Sequence, residues 1–225
     1  MENYLDYWED IFASQGWGAY PPEELVRTIA RNFRKVENKS SIKILEIGCG
    51  PGPNIWYLVR EGYSVAGIDG SKTAIAQAQQ RLEKEGLPSL PPSVDLKVGN
   101  FVNLPWPDDY FDAVIDVEGL YANKFDDIKT VVHEVKRTLK KGGFFFGKMF
   151  GDKTTGSDSG ERVGDRTRLN PTQGPCSGNA VAHFFNKNDL QLIFQDFDEL
   201  KIDYSLRTEQ EEKIDIFEWL VWAKY

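Results

Sequence analysis

The segment from Glu46 to Gly52 reads E-I-G-C-G-P-G and has residue types and spacing suited to binding a charged ligand. Glycines at such a turn let the backbone approach a ligand that a Cβ atom would exclude. The helical pattern that follows begins with free N–H groups, which attract a carboxylate or a phosphate. Asp69, 19 residues after Gly50, ends the next apolar run and can accept hydrogen bonds from both hydroxyls of a ribose. Together they predict a site for a nucleoside with an anionic tail.

Two features decide which nucleoside fits. The dinucleotide pattern needs glycines at G-x-G-x-x-G, and here Pro53 stands in place of the last glycine. Glu46 would repel a pyrophosphate and attract an ammonium group. A zwitterionic amino-acid tail plus a ribose describes S-adenosylmethionine. A nicotinamide-dependent reductase is the weaker alternative, because it commonly needs Tyr-x-x-x-Lys and Tyr121 and Lys124 are one residue too close.

The elements that must position these residues alternate between strand and helix patterns. Such alternation implies a mostly parallel sheet with helices on both faces. The two closing strands are separated by too few residues for a parallel crossover, so they should pair antiparallel. The sequence predicts strands at 42–47, 63–68, 94–98, 111–117, 144–150, about 199–206 and 214–224, and helices after Pro22, at 54–61, 71–86, 128–139 and from Asn186, with a loop at Pro88, Pro91 and Pro92.

Over roughly residues 40–150 the sequence resembles the class I S-adenosylmethionine-dependent methyltransferases. The motifs that carry the resemblance are the glycine segment, Asp69 with Gly70 and Ser71, Asn100 and Phe101 where an acid is usual, Pro105 to Val114, and Glu134 to Gly143. The resemblance implies a Rossmann-like, doubly wound α/β fold with a seven-stranded sheet in the order 3-2-1-4-5-7-6, the last strand antiparallel. The predicted cofactor contacts are Trp17, Glu46, Gly48, Cys49, Gly50, Asp69, Gly70, Ser71, Asn100, Phe101, Asp116 and Val117.

Two segments flank this pattern. Residues 1–41 are predicted to form a helical cap, and residues 42–225 the methyltransferase domain with a lid-like insertion at 151–182. The aromatic leader with Trp8, Trp17 and Tyr20 either packs on the sheet or covers the cofactor. The insertion is either a lid or contains short elements that its sequence does not reveal. Its Lys153, Arg162, Arg166 and Arg168 either lie in solvent or clamp an anionic group of the acceptor.

Methyl transfer to a hydroxyl or a protonated amine needs a base. The candidates at the carboxyl ends of the strands are Asp116, Glu118 and Tyr121 at the fourth strand, Lys148 near the end of the fifth, and His183 after the insertion. The alternative for His183 is a packed histidine bonded to the backbone. The other histidine, His133, is expected on a helix surface. The sequence therefore predicts His183, Glu118 and Tyr121 as catalytic residues.

Composition narrows the class of partner. The 225 residues hold 27 Lys and Arg against 35 Asp and Glu, a net charge of −8, which disfavours binding to nucleic acids or anionic membranes. Two cysteines exclude a disulfide framework. No acids complete a metal site around Asp116, so the reaction should be metal-independent. A cytoplasmic monomer or homodimer is expected.

The predicted acceptor is a small molecule with a hydroxyl or an amine. The segments Trp17 to Glu23 and Glu218 to Val221 also resemble methyltransferase-like proteins of surface-polysaccharide clusters, which would make the acceptor a sugar or a phosphorylated metabolite. A protein that binds S-adenosylmethionine without catalysis is the remaining alternative.

Overall fold

The computed structural model describes residues 2–87 and 93–225. Its main sheet is made of seven strands: β1 (Lys43–Ile47), β2 (Ser64–Asp69), β3 (Val94–Val98), β4 (Phe111–Val117), β5 (Leu139–Phe150), β9 (Glu199–Glu209) and β10 (Ile214–Lys224). They are arranged in the order β3-β2-β1-β4-β5-β10-β9. The first five in this order are parallel, and β10 is antiparallel to both of its neighbours. The predicted fold class, strand order and antiparallel last strand are confirmed.

Six α-helices accompany the sheet within the described residues: α1 (Glu2–Ser14), α2 (Glu23–Phe33), α3 (Pro53–Arg60), α4 (Lys72–Lys84), α5 (Phe125–Thr138) and α6 (Lys187–Ile193). Local sequence sets their starts. Ser71 accepts a hydrogen bond from the Ala74 N–H at 3.0 Å and begins α4. Asn186 and Asp189 form a reciprocal capping box that begins α6. The central strands are buried on both faces, and their apolar residues join two core clusters, one on each side of the sheet.

The insertion contains a second, three-stranded sheet made of β6 (Glu161–Gly164), β7 (Thr167–Leu169) and β8 (Val181–His183), all antiparallel. The sequence left open whether the insertion is a lid or contains short elements, and the structure shows that it contains short strands. Alternation in so short a segment gives no usable signal, which is why the sequence did not locate these strands.

The boundary between α5 and β5 differs from the prediction. The sequence pattern predicts a helix that reaches Leu139 and a strand that begins at Phe144, but α5 ends at Thr138 and β5 begins at Leu139. Asp112 accepts hydrogen bonds from Lys140 at 2.8 and 2.9 Å, which holds this early part of β5 beside β4. The predicted proline loop, 88–92, lies outside the described residues. In the part of the chain that is described, no helix combines the length and apolar character that a membrane crossing requires.

Candidate functional site

The glycine segment forms a tight turn between β1 and α3. Gly48, Gly50 and Gly52 have φ values of +63°, +50° and +77°, in the left-handed region that side chains with a Cβ rarely adopt. A Cβ on Gly52 would lie 2.8 Å from the Cβ of Ala78 on α4. Positive φ and close packing therefore both require glycine here, as the sequence pattern indicates.

Asp69 ties the glycine turn to the start of α4. Its Oδ2 accepts a hydrogen bond from the Gly50 N–H and its Oδ1 one from the Ser71 N–H, both at 2.9 Å. Burial raises the pKa of this carboxyl group, although the two N–H donors oppose the shift. Each carboxylate oxygen retains a lone pair for a ligand hydroxyl.

A cavity of about 300 Å³ opens beside these residues at the carboxyl ends of β1, β2 and β4. Most of the predicted cofactor contacts meet there. The lining includes Trp17, Glu46, Gly48, Cys49, Gly50, Asp69, Gly70, Phe101 and Val117 from the prediction, together with Trp8, Phe12, Tyr20, Asn54, Glu118, Gly119, Ala122 and Asn123.

Three predicted cofactor contacts are not part of this lining. Ser71 is fully buried as the cap of α4. Asn100 accepts a hydrogen bond from the Val102 N–H at 3.0 Å. Asp116 is also fully buried, and its Oδ1 accepts hydrogen bonds from the N–H groups of Gly119 and Leu120 at 3.1 and 2.8 Å. Burial raises the pKa of Asp116 to about 8. All three shape the turns around the cavity, and any contact with the cofactor stays a prediction.

Glu46 is the strongest indication of what the cavity binds. It is 1% exposed, and its Oε1 accepts a hydrogen bond from Asn54 Nδ2 at 2.6 Å. Its Oε2 and the Asn54 Oδ1 are buried without a hydrogen-bond partner. Buried acceptors without partners are costly, so a ligand with N–H donors would stabilise them. The ammonium group of S-adenosylmethionine would supply such N–H donors. The carboxylate of Asp69 could accept hydrogen bonds from the ribose hydroxyls of the same ligand.

Helix α1 covers the cavity, and Glu9 fastens it to α4. The Glu9 carboxylate accepts hydrogen bonds from Ser71 Oγ at 2.5 Å, Thr73 Oγ1 at 2.5 Å and the Thr73 N–H at 3.2 Å. These hydrogen bonds lower the pKa of Glu9 to about 2, and the bond from Ser71 has the largest effect. Gln77 on α4 also donates a hydrogen bond to the Phe12 carbonyl at 2.9 Å. The sequence left open whether the aromatic leader packs on the sheet or covers the cofactor. In the structure, its residues Trp8, Phe12, Trp17 and Tyr20 line the cavity.

Replacing Glu9 with alanine should speed ligand release. The variant removes the bonds that hold α1 over the cavity, so we expect the dissociation rate constant of S-adenosylhomocysteine to rise about 10-fold. Trp8 and Trp17 supply a fluorescence signal for stopped-flow measurement. Glu23→Ala, an exposed carboxylate paired only with Arg27 in its own helix, is the control. An unchanged rate constant would mean that Glu9 does not hold α1 over the cavity.

The pKa of Glu9 is lower in the folded protein than in the unfolded chain. The hydrogen bonds of Glu9 therefore stabilise the position of α1 at pH values above the unfolded-state pKa, and this stabilisation is lost as the pH falls toward about 2.

Glu118 enters the cavity directly after β4. It is a non-glycine residue with φ +58°, a conformation that usually persists only where its surroundings enforce it. Lys148 on β5 contacts it twice: the Lys148 carbonyl accepts a hydrogen bond from the Glu118 N–H at 2.8 Å, and Lys148 Nζ donates to Glu118 Oε1 at 3.1 Å. Lys148 Nζ also donates to Oε1 of Glu218 on β10 at 2.8 Å. Three charged side chains thus meet, one from the residue after β4 and one each from β5 and β10, and of these Glu118 lines the cavity.

The charges of this cluster affect one another. Burial opposes the charge on Lys148, but the carboxylates of Glu118 and Glu218 outweigh it, and the pKa of Lys148 is raised. Burial and contact with Glu118 raise the pKa of Glu218 to about 7, although Lys148 opposes the shift. A carboxyl group that titrates near neutral pH is suited to proton transfer.

The other two predicted catalytic residues are buried away from the lining. Tyr121 is 5% exposed, and its hydroxyl accepts a hydrogen bond from Asn179 at 2.8 Å. His183 is 1% exposed; its Nδ1 lies 2.8 Å from Thr167 Oγ1 and its Nε2 3.5 Å from Asp189 Oδ2. Its ring stacks on Phe125, with centroids 4.8 Å apart. The structure thus places His183 in the packed position that is the alternative to a catalytic base.

Truncating His183 to alanine should lower stability and leave ligand binding unchanged. The change opens a cavity beside Phe125 and removes a partner of Thr167, so we expect a loss of about 2–4 kcal/mol in the free energy of unfolding. Chemical denaturation measures the loss, and calorimetry measures binding of S-adenosylhomocysteine. A stable variant with weakened binding would contradict this assignment and place His183 in the site.

The basic residues of the insertion are engaged outside the cavity. Arg166 forms two hydrogen bonds to Asp189, both at 2.7 Å. Arg162 donates to Asp165 at 2.6 Å, and Lys153 lies 5.2 Å from the centre of the Phe217 ring. None of them, nor Arg168, lines the cavity. The structure does not bring a clamp for an anionic acceptor to this site.

Sequence reasoning did not assign Glu9, Phe12, Asn54 or Glu218 to the site. Asn54 follows the glycine turn directly and carried a local signal. Glu9 and Glu218 carried none, because they reach the site from elements distant in sequence. Within the described residues, no group of three or more His, Cys, Asp or Glu side chains is arranged to hold a metal ion, and metal independence stays a prediction.

Comparison with known proteins indicates a methyltransferase domain. Residues 45–147 match the family model described as "Methyltransferase domain". The chain is 32% identical over 128 residues to sterol 24-C-methyltransferase ERG6B of Gibberella zeae, covering 55% of this chain and 32% of that protein. It is 30% identical over 150 residues to the fatty-acid O-methyltransferase of Mycolicibacterium smegmatis, covering 60% of this chain and 51% of that protein. The matches thus span about a third to a half of these relatives' length.

Solved structures share the fold. A methyltransferase from Methanosarcina mazei superposes with a TM-score of 0.65 at 24% identity, over 80% of this chain and 91% of that one. The magnesium protoporphyrin IX methyltransferase of Synechocystis, solved with bound S-adenosylmethionine, superposes with a TM-score of 0.64 at 12% identity. The superposition covers 100% of this chain and 96% of that one. At these identities the likeness concerns the fold alone. Residues 45–147 therefore match a methyltransferase domain, and the strand order is the one that the resemblance to the class I S-adenosylmethionine-dependent methyltransferases implies.

Proposed function

We propose that this chain transfers the methyl group of S-adenosylmethionine to a hydroxyl or an amine of a small molecule. The observation that carries the proposal is the pair of acids in one cavity: Asp69 at the glycine turn and Glu46 with an unpartnered Oε2. Asp69 would bind the ribose and Glu46 the ammonium group. S-adenosylmethionine supplies an already activated methyl group, so the protein mainly has to align the acceptor and exclude water.

Glu118 is the proposed base, since it lines the cavity and contacts Lys148. Val117 and Gly119 flank it and would contact the acceptor side of the cofactor. Tyr121 would act only through the shape of the turn after β4. Two relatives are named for acceptors with apolar bodies, a sterol and a fatty acid. The aromatic side chains Trp8 and Trp17 in the lining suit a hydroxyl or amine acceptor that has an apolar body.

Thermal unfolding with added ligand tests the proposal. S-adenosylhomocysteine at about 100 times its dissociation constant should add about 2.7 kcal/mol of stability, and NAD should add none. Labelled S-adenosylmethionine with a panel of alcohols and amines then tests transfer. Stabilisation by NAD instead would favour the reductase, and stabilisation by S-adenosylhomocysteine without transfer to any acceptor would favour a non-catalytic binder. The domain boundary after residue 41, the cytoplasmic location and the oligomeric state stay predictions.

A further inference from the structure

The cavity is lined in large part by acidic and aromatic side chains. Glu46, Asp69 and Glu118 are its acids, and no Lys, Arg or His contributes to the part of the lining that the structure describes. Glu46 and Asp69 lie on the side where the cofactor would bind. Glu118 therefore remains as the carboxylate that faces the acceptor.

Behind Glu118, two carboxylates share one cation. Lys148 Nζ lies 3.1 Å from Glu118 Oε1 and 2.8 Å from Glu218 Oε1. Glu218 is fully buried, and its Oε2 has no hydrogen-bond partner. With both acids ionised, the cluster carries one uncompensated negative charge in a buried position, which is costly unless a proton or another cation neutralises it.

The surroundings favour a cation over a neutral group. The side chains of Trp8, Phe12 and Trp17 line the same cavity, and the faces of aromatic rings attract positive charge. Trp17 packs edge to face on Phe12, with centroids 5.1 Å apart, which fixes part of this aromatic wall. An ammonium group beside Glu118 would combine a charge-assisted hydrogen bond with contact to aromatic rings.

We propose that the acceptor is an amine that enters as an ammonium ion, binds to Glu118, and gives its proton to Glu118. This inference rests on the proposed function and names its acceptor class. Glu118 takes the proton, and Lys148, which bonds to both carboxylates, links Glu118 to Glu218. The nitrogen lone pair then forms the N–C bond to the methyl carbon as the C–S bond breaks, and the electrons of that bond remain on sulfur. Glu218 and Lys148 act as positioning residues.

Equilibrium binding to the protein saturated with S-adenosylhomocysteine tests the inference. Three compounds of similar shape serve as probes: phenethylamine, phenethyl alcohol and phenylacetate. We expect the amine to bind roughly 10-fold or more tightly than either of the others, since hydrogen bonds between charged groups exceed neutral ones by about this factor. Glu118→Gln should remove the preference for the amine, and Glu218→Gln should reduce it. Glu199→Gln, an exposed carboxylate on the far strand β9, should leave it unchanged.

Equal binding of the three compounds, preference for phenylacetate, no binding of the amine, or an unchanged preference in Glu118→Gln would each overturn the inference. The comparison within the unmodified protein needs no variant, so poor folding of Glu118→Gln does not prevent a decision. Stabilisation by S-adenosylhomocysteine alone is measured first. If it is absent, the proposed function fails; if it is present and the amine is not preferred, only this inference fails.

Discussion

Asp69→Asn should weaken S-adenosylhomocysteine binding at least ~100-fold, because two hydrogen bonds from a ligand to a charged acceptor contribute about 1.5–3 kcal/mol each. The asparagine side chain would keep nearly the same volume. It would lose the charge, and its NH₂ group could not accept the hydrogen bond that Asp69 now takes from the Gly50 N–H at 2.9 Å or from Ser71. The glycine turn would then lose part of its support as well as its ribose partner. Isothermal titration calorimetry gives the affinity.

Asp203→Asn is the matched control for this variant, since Asp203 is an exposed residue of β9 remote from the cavity. Circular dichroism and thermal unfolding without ligand show whether the Asp69 variant is folded. A folded Asp69→Asn protein that binds S-adenosylhomocysteine as tightly as the unmodified protein would remove Asp69 from the site.

Glu46→Gln is expected to weaken binding about 10- to 100-fold and to reduce the loss of affinity at acid pH. Burial raises the pKa of Glu46 well above its usual range, and the nearby acids Asp116 and Asp69 add to the shift, although Asn54 opposes it. Glu46 therefore holds its proton to a higher pH in the unliganded protein than an exposed glutamate does. A ligand ammonium group favours the carboxylate, so binding should release a proton and the affinity should fall as pH falls.

Calorimetry in two buffers with different ionisation enthalpies counts the protons released. The unmodified protein should release up to one proton per ligand bound, and Glu46→Gln none. The rise in affinity with pH should end where the ligand's own amino group deprotonates, at about pH 8. Proton uptake, or an affinity that rises toward acid pH, would show that Glu46 does not bind the ammonium group.

The fold and most residues of the cavity lining beside the glycine turn were accessible from the sequence because their signals are local. The glycine turn, Asp69 and the strands that precede them lie within one stretch of chain, and period and composition locate such elements. The cap at Ser71 was equally readable, because a serine before a helical pattern has one dominant use.

The cluster around Glu118 and the attachment of α1 over the cavity depend on contacts between segments that are distant in sequence. Glu218 meets Lys148 across 70 positions because β10 pairs antiparallel with β5, and Glu9 reaches Ser71 across 62. No local pattern encodes these distances. His183 illustrates the opposite error: a histidine after a loop rich in glycine and serine looks accessible, yet the pairing of His183 with Thr167 in the second sheet buries it.

A crystal structure with S-adenosylhomocysteine tests the central claim most directly. We expect the ribose hydroxyls within hydrogen-bonding distance of the Asp69 carboxylate, the ammonium group on Glu46 Oε2, and the sulfur facing Glu118 beneath α1. A ligand bound elsewhere, or a cavity between Gly48 and Asp69 closed by side chains with Asp69 turned away, would contradict the account.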